Sequence, residues 1–426
     1  MIRTNYSREV NEKLFNKTIT LAGWAQNIRV LGKIAFIKLR DREGLSQIII
    51  PSDNSNFESV KDITPESVLA ITGKVQESKQ AQLGWELIPE KIEVLNKAEV
   101  PLPLDISGKI DSELETRLNS RFMDLRQTRV HAIFMIRDAV TTALRNYCEE
   151  REFIEMHTPK LVGAGAEGGS LLFEIDYFGK KAYLSQSPQL YKQSLMATGF
   201  DKIYEIAPYF RAEKSDTSRH VSEFTMWDVE IAFIRSQEDI LEFLERAMIY
   251  TYEYVKKTCP EYLEILNVNL EVPKAPFPRI TYSEAVKMLE KEEGEELGTE
   301  DEKKLGEIMK EKGFDMFYII NFSEEEKPFY MMENGKYSFS FDLEQGGQEL
   351  TSGGQREHRY DVLVERMKKK GLKPEDFADY LMAFKFGMPP HGGFGLGVDR
   401  LVQKMLNIPN IREVVLHPRD LKRIKP

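Results

Sequence analysis

Residues 202–234 read KIYEIAPYFRAEKSDTSRHVSEFTMWDVEIAFI. Apolar and polar side chains alternate along KIYEIAPYFRAE and again along FTMWDVEIAFI, and the polar stretch KSDTSRHVS joins the two arms. Alternation with a period of two on both sides of a polar interval predicts two antiparallel strands in a long-looped hairpin. Charge gathers where the strands end: Arg211 and Glu213 close the first arm, Arg219 and His220 precede the second, and Asp228 lies within it. The hairpin by itself fits either a solvated tip or a place where an anion binds.

Upstream, VHAIFMIRDAVTTALRNYCEE places Ile133, Ile136, Val140, Leu144 and Tyr147 on a helical period, and FIEMHTPKL reads as a short extended segment. Downstream, SQEDILEFLERAMIYTYEYVKK opens with Ser236 and Asp239 at capping-box spacing and continues with Leu241, Leu244 and Met248 at helical spacing. The acidic run EKEEGEELGTEDE, Glu290 to Glu302, reads as a solvated loop or helix face without chemistry. The first hundred residues differ. TITLAGWAQNI, IAFIKLRD, SQIIIPS, VLAITGKVQES and GWELIPEKIEVLNKA are five strand-like segments with Gly, Asp, Asn and Ser turns, which predict a small five-stranded barrel of the oligonucleotide-binding type. The expected fold is thus α+β: a barrel over 1–103, a proline-bearing hinge over 104–127 around PLPLDISGKIDSELETRL, and a helix-and-sheet domain over 128–426.

Composition narrows the function classes. Of 426 residues, 41% are hydrophobic and 30% charged, as in globular proteins, and no apolar run reaches the length of a membrane span. The N-terminus has no signal-peptide apolar core, so a cytoplasmic protein with no membrane partner is expected. Cys148 and Cys259 lack metal-site spacing and read as reduced, structural thiols. A net charge of −10 argues against a generally basic nucleic-acid surface, but residues 1–104 hold 14 Lys and Arg against 13 Asp and Glu. Polyanion contact is therefore expected on the N-terminal part or in local clefts.

Three further patterns bear on chemistry. Gly392, Gly393, Gly395 and Gly397 lead into an apolar-periodic helix whose first turn carries Arg400, so backbone could approach a planar or anionic ligand beside a fixed charge; a flexible turn with a surface arginine is the plain alternative. No βαβ unit follows, which excludes a dinucleotide fingerprint. Asp342 and Glu349 flank a Gly-Gly turn, and a hairpin there would bring both carboxylates, with Ser352, to one side, as Mg²⁺ shared with a substrate phosphate requires; a salt-bridged strand pair is the alternative. Arg211, Arg219, His220, Arg356 and Arg400 add anion-binding side chains, which favours phosphoryl or nucleotidyl transfer.

In this order the pieces resemble the three signature motifs of the class II aminoacyl-tRNA synthetases: the helix with FIEMHTP, then FRAE with RHVSEF, then GGFGLGVDR. EGGS (Glu167–Ser170), QSPQLYKQ (Gln186–Gln193) and ELTSGGQREHR (Glu349–Arg359) are similar to the aspartyl-tRNA synthetases of the shorter archaeal type, and the likeness covers essentially the whole chain. The resemblance implies a six-stranded antiparallel catalytic sheet flanked by helices, a homodimer built through the first motif, and a two-step reaction. Aspartate would attack the α-phosphorus of ATP to give aspartyl-adenylate, and the terminal 3′-hydroxyl of tRNA would then take the aspartyl group. It implies that Arg211 holds the α-phosphate and the attacking carboxylate, that Glu213 and Phe224 hold adenine, and that His220 and Arg400 hold the distal phosphates. Arg219, Glu349 and Gly397 complete the ATP site, and Asp342, Glu349 and Ser352 place Mg²⁺. Arg356, supported by Lys192, would pair with the aspartate side chain, while Glu167, Gln189, Asp228 and Ser352 complete the amino-acid pocket together with Arg211.

On the barrel, the resemblance assigns anticodon reading to Phe36, Gln47 and Glu86 with Arg29 nearby. Taken alone, Phe36 in IAFIKL reads as barrel core, since strand parity leaves both faces open. At the two positions where archaeal-type relatives often carry Trp with Lys, or His with Pro, this chain has Gln26 and Gln82, which fits acceptance of tRNA(Asn) beside tRNA(Asp). The nearest rival readings are an asparaginyl-tRNA synthetase and a catalytically idle RNA-binding paralogue.

Overall fold

The computed structural model describes residues 2–81, 83–108, 110, 112–163, 172–214 and 217–425. The chain forms two compact units that divide between Met123 and Asp124.

In the first unit, β1 (Thr18–Leu31), β2 (Ile34–Arg40), β3 (Leu45–Pro51), β4 (Val68–Glu77) and β5 (Trp85–Asn96) close into a barrel in the order β1-β2-β3-β5-β4. Closure leaves no unpaired strand edge. Leu21, Ile37, Ile48, Ile50, Leu69, Ile71 and Leu87 fill the interior. Alternation then settles Phe36. Ala35, Ile37 and Leu39 are buried, so Phe36 between them is half-buried on the outer face and the core reading fails. After the barrel, Leu102, Leu104, Ile106 and Met123 make a small core of their own beside α1 (Leu114–Asn119) and α2 (Arg121–Asp124).

The second unit runs through α3 (Thr128–Glu149), β6 (Ile154–Glu155), β7 (Leu161–Val162), β8 (Glu174–Tyr177), β9 (Lys180–Leu184), α4 (Gln189–Leu195), β10 (Lys202–Phe210) and β11 (Glu223–Ala232). It continues through α5 (Gln237–Thr258), α6 (Pro260–Leu266), β12 (Arg279–Thr281), α7 (Tyr282–Met288), α8 (Thr299–Glu311), β13 (Met316–Ile320), β14 (Glu333–Asn334) and β15 (Tyr337–Ser338). It ends with β16 (Ser340–Gln345), β17 (Glu349–Gln355), α9 (Tyr360–Lys369), α10 (Ala378–Lys385), β18 (His391–Gly397) and α11 (Val398–Met405). One large sheet has the order β12-β13-β16-β17-β18-β11-β10-β6, and β7, β9 and β8 form a small sheet beside it. The six inner strands are antiparallel, as expected; short β12 and β6 add one parallel pairing at each edge, giving eight.

The predicted hairpin is β10–β11, in register from Lys202 opposite Ile231 to Phe210 opposite Glu223. The capping box at Ser236 and Asp239 starts α5. One face of the sheet packs Trp227, Val229, Phe341, Leu343, Phe394 and Leu396 against Ile136, Val140 and Leu144 of α3 and Leu241, Leu244 and Met248 of α5. Strand parity sends the alternate residues, Met226, Asp228 and Glu230 on β11 and Asp342 and Glu344 on β16, to the other face. Cys148 and Cys259 are buried and free, and burial pushes the Cys148 thiol up to about 12.

GGFGLG, the glycine-rich run that leads into α11, forms the central strand β18, so the alternative of a flexible turn fails. Its glycines are needed for space. A Cβ on Gly393 would lie 2.0 Å from the Val229 carbonyl oxygen and 2.3 Å from Glu230 Oε2, and one on Gly395 would lie 2.4 Å from Met226 Cε. Among the described residues, no helix is long and apolar enough to cross a membrane.

Candidate active site

The open face of the sheet carries a cleft of about 220 Å³. Arg211, Glu213, Arg219, His220, Phe224, Glu349, Gly397 and Arg400 line it together with Gln189, Asp228, Ser352 and Arg356, so segments far apart in sequence converge there. Arg211 follows β10 directly, its backbone N–H donates to the Ser222 carbonyl at 2.9 Å, and its guanidinium lies 5.2 Å from the centre of the half-buried Phe224 ring. A cation and an aromatic face set side by side suit a planar, anionic ligand.

At one end the charges are buried and matched. Arg356, 1% exposed, donates from Nε to Glu230 Oε1 at 3.0 Å and from Nη2 to Glu230 Oε2 at 3.3 Å. Among the described residues its remaining nitrogen, Nη1, meets only the weak acceptor Met331 Sδ, at 3.1 Å. Lys192 on α4 donates to Asp228 at 3.1 Å and to the Phe394 carbonyl at 3.0 Å, and lies 3.4 Å from Glu230. Burial alone would raise the Glu230 carboxyl, but Arg356 and Lys192 hold it below the usual range. Burial lowers His391 behind this cluster to about 4, which keeps it neutral at neutral pH. Gln189, also on α4, is 5% exposed, and among the described residues its Nε2 has no hydrogen-bond partner. A buried donor left without an acceptor on the wall of a cleft suits a ligand oxygen.

Beyond Glu349, in a second cavity that shares this residue with the cleft and is lined by Glu302, Asp342 and Glu344, carboxylates outweigh cations. Asp342 faces Ser352 across β16–β17, and Glu344 faces Glu349. Arg400 donates from Nη1 to the Glu349 carbonyl at 2.9 Å, and Arg219 donates to Glu302 at 3.2 Å and to the Gly347 carbonyl at 3.0 Å. Burial and then Glu349 raise Glu302 to about 7 despite Arg400 and Arg219. Burial, with Glu302, Glu349 and Asp342 nearby, pushes Glu344 well up, and burial also raises Asp342 although Lys327 opposes it. Burial and Arg400 lower His220, whose Nδ1 lies 2.7 Å from Thr217 Oγ1. Among the described residues, no three Asp, Glu, His or Cys are arranged to hold a metal ion by themselves.

Within the acidic run, read from sequence as a solvated loop or helix face, Glu302 lies in the first turn of α8, pairs with Arg219 at 3.2 Å and lines a second cavity with Asp342, Glu344 and Glu349. Glu230 and Glu344 were also missed, although each lies two residues from a chosen carboxylate, Asp228 and Asp342, and therefore on the same strand face. Asp399 gave no sequence signal. It is buried, pairs with Arg137 of α3 and accepts from the Thr225 backbone at 2.8 Å, which ties the first helix to the cleft wall. Glu167 lies outside the described residues.

On the barrel, Arg29 faces Phe36 across β1–β2 and Lys38 faces Gln47 across β2–β3. Because Ile48 pairs with Leu87, Gln47 and Glu86 are neighbours on the same outer face. Arg29, Phe36, Gln47 and Glu86 therefore share one surface, beside a hollow of about 120 Å³ lined by Lys38, Gln47 and Trp85. Gln26 sits at a bulge of β1 with Oε1 buried and without a partner; Gln82 lies outside the described residues.

The cleft and the barrel together define a two-unit tRNA synthetase. The family described as "tRNA synthetases class II (D, K and N)" matches residues 113–421, and "OB-fold nucleic acid binding domain" matches residues 19–95. The chain belongs to the class II tRNA synthetases, enzymes that use ATP as a substrate. It is 49% identical to the aspartate–tRNA(Asp) ligase of Pyrococcus furiosus and 47% identical to the aspartate–tRNA(Asp/Asn) ligase of Methanopyrus kandleri, with all of both chains covered in each case. Among solved structures it is similar to the asparaginyl-tRNA synthetase of Pyrococcus horikoshii complexed with asparaginyl-adenylate, with a TM-score of 0.92, 32% identity and all of both chains covered. It is also similar to the aspartyl-tRNA synthetase of Entamoeba histolytica, with a TM-score of 0.87, 32% identity, and 99% and 92% of the two chains covered.

Proposed function

We propose that the protein ligates L-aspartate to tRNA(Asp), and also to tRNA(Asn), through an aspartyl-adenylate. The observation that carries the choice of amino acid is the Arg356 fork: Arg356 lines the cleft, two of its nitrogens are taken by Glu230, and among the described residues Nη1 meets the Met331 thioether. A substrate carboxylate completes that fork. Charge balance supports the same choice. Arg356, Lys192, Arg211 and the substrate ammonium make four cations; Glu230, Asp228 and the two carboxylates of aspartate make four anions. Asparagine would leave one buried cation unmatched, which costs free energy in a closed pocket.

Arg211 would bridge the α-carboxylate and the α-phosphate, drawing nucleophile and electrophile together and neutralising charge as the bond to phosphorus forms. Phe224 and Glu213 would hold adenine, and Arg219, His220 and Arg400 the distal phosphates, with Gly397 leaving room beside Arg400. Gln189, Asp228, Ser352 and Glu167 would orient the substrate ammonium and carboxylate. The oxygens of Asp342, Glu349 and Ser352 suit a hard cation, and the surplus of raised carboxyl groups around them is a charge that such a cation would relieve. Mg²⁺ held there would neutralise phosphate charge.

Phe36 would stack an unpaired anticodon base while Gln47, Glu86 and Arg29 meet base edges and backbone. The relatives at 47–49% identity carry both tRNA(Asp) and tRNA(Asp/Asn) in their names, so identity leaves the tRNA choice open. Gln26 can donate and accept, which fits either third anticodon base. A homodimer built through α3 and the strand that follows it completes the proposal. Charging of purified tRNA(Asp) and tRNA(Asn) with radiolabelled aspartate tests it. Both should be aspartylated; an efficiency for tRNA(Asn) several orders below that for tRNA(Asp) would remove the second substrate, and no charging of either would remove the proposal.

A further inference from the structure

The strap between β13 and β16 carries Lys327, whose ammonium donates to both carboxylate oxygens of Asp342, at 3.0 and 2.9 Å. The same ammonium lies 3.7 Å from the centre of the Phe322 ring. Both side chains are little exposed, 13% for Lys327 and 11% for Asp342. Two acceptors and an aromatic face around one shielded ammonium distinguish this pair from a loose surface contact. The strap is pinned on both sides of Lys327, because Glu324 accepts from Lys369 at 2.8 Å and the Phe329 carbonyl accepts from Arg366 at 2.8 Å, both donors lying on α9. A fixed backbone therefore delivers the charge to Asp342.

A lysine ammonium and a divalent cation compete for the same carboxylate lone pairs. We infer that Lys327 is an internal counter-cation that occupies Asp342 until nucleotide binds, so that the divalent cation enters with the phosphates and not ahead of them. This inference rests on the reading of Asp342, Glu349 and Ser352 as the cation site. The fold also provides somewhere for the ammonium to go. Glu344 lies two residues further along β16 on the same face, about 7 Å away at strand spacing. Among the described residues its buried Oε2 has no hydrogen-bond partner, and Glu344, Lys327 and Asp342 line one cavity of about 380 Å³. Without Lys327 the surplus carboxylates would draw a divalent cation from solution before any substrate was present.

The test is Mn²⁺ binding to the full-length protein without nucleotide, followed by the loss of the free Mn²⁺ signal in electron paramagnetic resonance. Lys327→Met should bind Mn²⁺ at least about tenfold more tightly than the unaltered protein, from loss of one adjacent charge. Lys327→Arg, which keeps the charge, should behave like the unaltered protein. Equal affinity in the unaltered protein and Lys327→Met overturns the inference. Adding Asp342→Asn to Lys327→Met should abolish the gain; a gain that survives places the ion elsewhere and overturns both the inference and the site reading. Should Lys327→Met fail to fold, thermal melting of the unaltered protein decides. Mn²⁺ should shift its melting temperature only with a non-hydrolysable ATP analogue present, and an equal shift without the analogue contradicts the inference. Loss of the Mn²⁺-dependent shift in Asp342→Asn with the analogue supports the site reading independently.

Discussion

The two ends of the cleft are built on opposite principles. At the Arg356 end every charge has a buried partner: Glu230 is shared by Arg356 and Lys192, and Asp228 is taken by Lys192. At the Arg400 end carboxylates crowd together, and Glu302, Asp342 and Glu344 all have their carboxyl groups pushed upward. The first end is prebuilt for one small ligand whose charges complete an existing pattern. The second is an unbalanced surface, which in the proposed function a polyphosphate and its cation would settle. On that proposal, selectivity and the handling of highly charged ligands reside on the same sheet.

Breaking the matched end should produce the largest effect. Arg356→Ala leaves Glu230 buried with only Lys192 beside it, and should cost about 3–5 kcal/mol of stability in denaturant titration, together with loss of aspartate-dependent pyrophosphate exchange. Between the two ends, Arg211→Ala should lower adenylate formation by about 10²–10³-fold while tRNA binding in a filter assay stays unchanged. Near-normal exchange by that variant would mean that Arg211 does not touch the reacting groups.

The unbalanced end should reveal itself through pH. Glu302 has a folded-state pKa of about 7 against an ordinary value of 4.5, so the folded protein holds its proton more tightly than the unfolded chain does. Stability from this group is complete below pH 4.5 and is lost as pH rises to about 7. Glu302→Gln should therefore raise the melting temperature at pH 8 and flatten its dependence between pH 5 and 8, an effect on the order of 3 kcal/mol before the lost Arg219 pair is deducted. A variant as pH-dependent as the parent would show that Glu302 is not strained. The smallest effect lies outside the cleft: Phe36→Ala should weaken tRNA binding by about 1–3 kcal/mol and leave pyrophosphate exchange intact.

How much of this was legible follows from what sequence encodes. Period-two alternation in KIYEIAPYF and FTMWDVEIA located β10 and β11, and the five barrel strands were found in the same way. The Gly-Gly turn announced the β16–β17 hairpin, where Gly346 and Gly347 have φ of 51° and 71°. GGFGLG gave no strand signal because glycine weakens one, and its use here, clearance for Glu230 and Met226, exists only once β11 lies beside it. Glu302 and Lys327 stayed hidden for a related reason. Nothing near them in sequence marks chemistry; each acquires its role from a long-range neighbour, Arg219 across α8 and Asp342 across the strap.

The contrast between the two ends reduces to one question about the Arg356 end, whether its charges are completed by a carboxylate or by an amide. Pyrophosphate exchange measured in parallel with aspartate and with asparagine answers it most directly. Exchange should proceed with aspartate and fall by several orders of magnitude with asparagine; comparable exchange with asparagine would contradict the charge balance on which the assignment stands.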